Sequence, residues 1–153
     1  MAEIKVPDSD HLMRYVPYGQ QLRAPETDAF LGILGIAFSV RPSDQGGLSV
    51  TWIEHYGEKD VATVTVAAAA FRDSLEKKKL APKAYFAVGN AGLTRRLAAE
   101  HGKKIRLISA PDGSNTGHVE IHRFSDDDRT LLDALALDVY TEHIAVASLE
   151  FES

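Results

Sequence analysis

Residues 83–109, KAYFAVGNAGLTRRLAAEHGKKIRLIS, decide the fold class. Lys83-Ala84-Tyr85-Phe86-Ala87-Val88 is apolar and aromatic, as a strand is, and it follows Pro82, which stops the segment before it. Gly89-Asn90-Ala91-Gly92 then opens a short helix carrying Leu93 and Leu97, Gly102 ends that helix, and KKIRLIS resumes a strand. Strand, helix and strand in so few residues form a compact βαβ unit, for which a partly parallel sheet with a right-handed crossover is expected.

Working outward, Phe30–Val40 is an apolar run between Pro25 and Arg41-Pro42, and its two glycines argue for a buried strand rather than a helix. Leu48 to Tyr56 alternates with a strand's period of two, so with the PSDQGG turn the two runs predict a hairpin. Asp60 is placed to cap a helix whose stripe is Val61, Val64, Ala68, Phe71 and Leu75, running to about Leu80. GHVEIHRF reads as a half-exposed strand, Ser125 as the cap of a helix through TLLDALALDVYTEH, and IAVASLEF as a last strand. Pro7, Pro17, Gly19 and Pro25 break up the start of the chain, so residues 1–29 are expected to form an irregular lead-in and residues 30–153 a single α+β domain. That domain is expected to hold a mixed, mostly antiparallel sheet of about five or six strands, with two longer helices and one short helix.

Composition sets limits. The 153 residues are 44% hydrophobic and 25% charged, material for one core. Without cysteine there is no disulfide, thiol nucleophile or thiolate metal site. No apolar run approaches the length of a membrane span, and MAEIKVPDSD lacks a basic start and an apolar core, so a soluble cytoplasmic protein without a membrane partner is expected. Net charge is −5, unevenly distributed: residues 72–106 carry ten of the seventeen Lys/Arg and three of the twenty-two Asp/Glu. Such a block is a nucleic-acid footprint if it forms one face. Internal charge complementarity, with Lys77-Lys78-Lys79 at a helix end, is the preferred reading.

Three places could carry chemistry. In His118-Val119-Glu120-Ile121-His122, a strand sets both histidines and the glutamate on one face, too far apart for both histidines to hold one metal but suited to acid–base work. Around the expected hairpin, Arg41 could clamp an anion, with Ser49, Thr51, Glu54 and His55 close by. In residue type, without its spacing, that set resembles an ADP-ribosyl-transferring site. The glycine turn with Gly89, Asn90, Gly92 and Arg95 could bind phosphate at a helix start, although it is neither a Walker loop nor GxGxxG. Against each stands a plain structural role: a solvated strand face, a polar hairpin, a tight connection with Asn90 as cap. No metal set, nucleophile elbow or particular cofactor is indicated. Tyr15 and Tyr18 beside Arg14 suit a partner surface.

His11–Pro17, Arg41-Pro42, Leu48–Tyr56 and Gly117–Ile121 together resemble an uncharacterised class of small bacterial proteins associated with mobile or defence loci. The resemblance implies an accessory role and assigns no catalytic residue. Two functions follow. One is a non-catalytic binding or accessory protein acting on a protein partner, which calls for scattered histidines and an exposed apolar patch. The other is a small enzyme, a hydrolase or ADP-ribosyl-type transferase on a nucleotide or phosphate-containing substrate, which requires the named histidines, Glu120 and an arginine to converge in one pocket.

Overall fold

Strand β2 (His11–Val16) lies inside the main sheet rather than in a loose lead-in, as a computed structural model describing residues 2–40, 47–124 and 128–151 shows. The other elements are β1 (Ala2–Glu3), β3 (Gln21–Arg23), β4 (Phe30–Ile33), β5 (Leu48–Trp52), α1 (Val61–Ser74), β6 (Tyr85–Asn90), α2 (Ala91–Glu100), β7 (Arg106–Ser109), β8 (His118–His122), α3 (Arg129–Ala134) and β9 (Glu142–Ala145). The main sheet has the order β1-β7-β8-β5-β2-β6-β9, and β3 pairs with β4 in a separate two-stranded flap. This is the expected single α+β domain with a mostly antiparallel sheet and three helices.

The details differ from the sequence reading in three ways. Every strand pair among the described residues is antiparallel. β6 and β7 do run in the same direction, but β8, β5 and β2 stand between them, so the βαβ unit makes no parallel pair. The run from Phe30 is a strand only to Ile33; Gly35–Phe38 is a 3-10 turn, and β5 pairs with β2 and β8, so the expected hairpin does not form. The turn sets Ala37 and Phe38 into the larger core, where both are buried.

Alternation along each strand divides the sheet into two faces. One carries Leu12, Val16, Leu48, Val50, Ala87, Leu107, Val119 and Ile121 against α2, α3 and Phe38, and forms the larger core. The other carries Met13, Phe86 and Val88 under Val64, Ala67 and Ala68 of α1. Helix α1 packs over β2 and β6 and reaches β5, where Thr51 is buried, while Ser49 and the polar positions of β8 stay partly exposed. It ends at Ser74 rather than near Leu80, and Val61 of the expected apolar stripe is exposed.

Helix caps explain several boundaries. Asp60 accepts from Thr63 N at 2.7 Å and Asn90 from Leu93 N at 2.9 Å, as expected. Asp128 caps α3, accepting from Leu131 N at 2.9 Å; Ser125, the expected cap, lies outside the described residues. Beyond α3, Leu135–Val139 form a π turn closed by Tyr140 N donating to Leu135 O, where one continuous helix was expected. The turn delivers Tyr140 into the larger core, where burial pushes its hydroxyl pKa up to about 12.

Two predictions follow from these contacts. The Asp60 carboxyl is held below its ordinary range chiefly by the Thr63 backbone N–H, so its capping contribution is present above the unfolded pKa of about 3.9 and disappears as pH falls through the lower folded value. The Tm difference between wild type and Asp60→Ala should therefore shrink as acid is added below about pH 4. Arg14 donates from Nε to Ala37 O and from Nη1 to Ser49 O, both at 2.8 Å. Arg14→Met should cost about 2 kcal/mol or more in urea unfolding, because both carbonyls lose a charged donor.

Candidate functional site

Strand β2 is paired with β6 over all six of its residues, but with β5 only at Leu12↔Trp52 and Met13↔Thr51. Past Met13 the two strands separate. A groove of about 630 Å³ opens there, bordered by Met13, Arg14 and Tyr15 on one side and Ser49, Val50 and Thr51 on the other. Phe71, Ser74 and Leu75 at the end of α1 form a wall, while Gln20 and Ile36 close one end and Asp112 and His118 also line it. The wall is aromatic: the Tyr15 ring lies 5.1 Å from that of Phe71 and 5.5 Å from that of Phe86.

The polar groups have defined roles. His118 Nδ1 lies 2.5 Å from Ala110 O; a carbonyl only accepts, so Nδ1 carries the hydrogen and Nε2 is left as the acceptor. Thr51 Oγ1 accepts from Asn115 Nδ2 at 3.0 Å, and Asn115 Oδ1 in turn accepts from the Tyr56 hydroxyl at 2.5 Å. This buried chain ties the loop before β8 to β5. Gln20 Oε1 is buried without a hydrogen-bond partner among the described residues, a state that normally calls for a donor from elsewhere.

Of the residues singled out from sequence, the groove contains His118, Ser49 and Thr51, together with Arg14 and Tyr15 of the expected partner surface. Glu120 and His122 pair with each other at 2.8 Å beside Gly47, where an added Cβ would come within 2.8 Å of both side chains. They do not line the groove. His55 bonds Thr116 at 3.0 Å and stacks edge-on to Tyr56, and Glu54 binds His11 at 2.7 Å. Arg41 lies outside the described residues. The six histidines have six separate partners.

The glycine turn is occupied by the chain itself. Ala91 N donates to Asp10 O at 2.8 Å and Gly92 N to Asp8 O at 3.0 Å, while Leu93 N is taken by Asn90. Arg95 is paired with Asp8 at 2.8 Å. Gly92 is a glycine because the Asp8 backbone passes over it; a Cβ would meet Asp8 O at 2.9 Å. At Gly89 a Cβ would stand 2.6–2.7 Å from the Tyr140 ring. Close packing thus accounts for both glycines, and the helix start offers an anion no free donor.

The basic block is split. Its Lys77–Lys79 part follows α1 on one face of the sheet and its Arg95-Arg96 part lies on α2 on the other, so it forms no single stripe. No group of three or more His, Asp or Glu placed to hold a metal occurs among the described residues, and no helix among them is long and apolar enough to cross a membrane. Gln20, Asp112 and the meeting of Tyr15 with Phe71 are not apparent in the sequence, because the strand that carries Tyr15 is hidden among prolines and a glycine.

Compared with family models, curated proteins and solved structures, the chain matches none.

Gly89→Ala should lower stability by about 1–3 kcal/mol in urea unfolding through overpacking against Tyr140. Millimolar inorganic phosphate should leave the Tm of the wild type unchanged.

Proposed function

We propose that the chain is a non-catalytic binding or accessory protein that acts through contact with a protein partner in the cytoplasm. The observation that supports this reading is where its apolar surface lies. Of nine exposed large apolar side chains among the described residues, five are Tyr18, Leu22, Leu31, Leu34 and Ile36, all on or beside the β3–β4 flap. Leu31, 61% exposed, sits on a short strand paired on one side only. A monomer gains nothing from apolar side chains concentrated there, whereas a partner surface does. The groove takes in His118 but not His55, His122, Glu120 or Arg95, so the groups that the enzyme reading brings together do not share it, which supports the same reading. A bacterial accessory role, as the resemblance in sequence implies, is compatible with it.

A second reading, a small enzyme on a nucleotide or phosphate-containing substrate, is favoured by one feature: His118 Nε2 borders the groove with its tautomer fixed by Ala110 O, as a general base requires.

Photo-crosslinking residues placed at Leu31 and Ile36, with one at exposed Leu93 as control, separate the readings in cells that make the protein. A discrete adduct from Leu31 and Ile36, absent from Leu93 and lost with Leu22→Asp, is expected. Absence of an adduct, or equal adducts at all three positions, contradicts the proposal. A thermal shift with nucleotides or NAD that disappears in His118→Ala would favour the enzyme.

A further inference from the structure

We propose that the slot between β2 and β5 receives an extended peptide segment of the partner protein, with a lysine or arginine at its Asp112 end. This rests on the reading of the chain as a protein-binding one and adds a mode of recognition to it. The first argument is which residues border the slot. Side chains of successive strand residues point to opposite faces, yet Met13, Arg14 and Tyr15, and again Ser49, Val50 and Thr51, are consecutive. A cavity that touches consecutive residues meets the edge of a strand and therefore its main chain.

Hydrogen-bond alternation says which groups face in. Trp52 N donates to Gly117 O, away from β2, so the main-chain groups of Thr51 and Ser49 turn toward β2. By the same alternation Met13, and then Tyr15, turn toward β5. The Ser49 carbonyl is taken by Arg14, whose side chain leaves β2 on the face of the larger core and floors the slot. The Ser49 N–H and the Tyr15 N–H and C=O then face a space that a strand's main chain can complete, as in β-strand addition.

Volume and charge agree with that occupant. At sheet spacings of roughly 3.3 Å along a strand, 4.8 Å between strands and 10 Å between layers, about four extended residues fill such a space. The partly exposed Tyr15 and Phe71 rings would take the apolar side chains of the segment. His118 lines the slot with its Nδ1 committed to Ala110 O, which leaves Nε2 as an acceptor for a donor of the segment. Asp112 is exposed and is the carboxylate among the lining residues, while the lining cation, Arg14, is engaged with Ala37 O and Ser49 O. The charge left unanswered at that end is negative, which selects a basic residue.

The test uses the isolated protein and a library of blocked hexapeptides, each with one lysine and the other positions drawn from Val, Leu, Phe, Tyr, Ser and Thr. Backbone amide NMR is the readout. The library should shift Met13–Val16, Leu48–Thr51 and the Gln20 side-chain amide, with other strands unmoved. The same library with alternate N-methylated backbones should bind at least about tenfold more weakly, since main-chain hydrogen bonds are lost. Asp112→Asn, an exposed loop change, should weaken the parent library and leave a lysine-free library unaffected. No shift in the two strands, or equal binding of the N-methylated library, overturns the proposal. Crosslinks from Leu31 with no library binding would overturn it while leaving the flap reading in place.

Discussion

Strand β2 is held along its whole length by β6 and along two residues by β5, and this unequal pairing governs the rest of the molecule. The strand cannot leave the sheet, because the turn that precedes it supplies Asp8 O and Asp10 O to the first N–H groups of α2. Nor can its far half close onto β5, because Arg14 already spans the gap to Ala37 O and Ser49 O. A guanidinium in place of ladder hydrogen bonds keeps those carbonyls satisfied while leaving room between the strands. The groove, its aromatic wall and the closeness of the flap are consequences of that substitution.

The two faces of the sheet then take different parts. The larger core is sealed by α2, α3 and the Tyr140 ring pressed against Gly89, an arrangement with no space for a Cβ. The opposite face is half covered. Helix α1 ends beside the slot at Phe71, Ser74 and Leu75, so an apolar wall meets polar strand edges along one line. Continuous with it through Gln20 and Ile36 is the flap with its exposed leucines. The exposed leucines of the flap and the strand edges of the slot thus adjoin through Gln20 and Ile36, as the proposed docking of another chain requires.

Much of the fold was legible in the sequence, for identifiable reasons. β6, α2 and β8 were read nearly at their true limits because apolar periodicity, Asn90 and glycine punctuation agree there. β2 is hidden in the sequence because prolines and a glycine on either side of His11–Val16 mask its alternation, and the sheet order is hidden with it. Phe30–Val40 misled because an apolar run suits a 3-10 turn packed into a core as well as a strand. At the site, His118 is visible as part of an alternating strand. Gln20, Asp112 and the role of Arg14 are not, since segments distant in sequence bring them to the groove. The glycine turn admits both a phosphate site and a tight connection in sequence, because a glycine needed for close packing looks the same there as one needed for an anion.

Amide hydrogen exchange on the free protein tests the central claim most directly, since it reports which strand edges are paired. If β2 and β5 part after Met13 and Thr51, the amides of Tyr15 and Ser49 exchange far faster than those of Arg14, Val50 and Phe86, whose hydrogens lie in the β2–β6, β5–β8 and β6–β9 ladders. Equal protection of Tyr15 and Ser49 with those neighbours would mean that the two strands are zipped together, and would contradict the account.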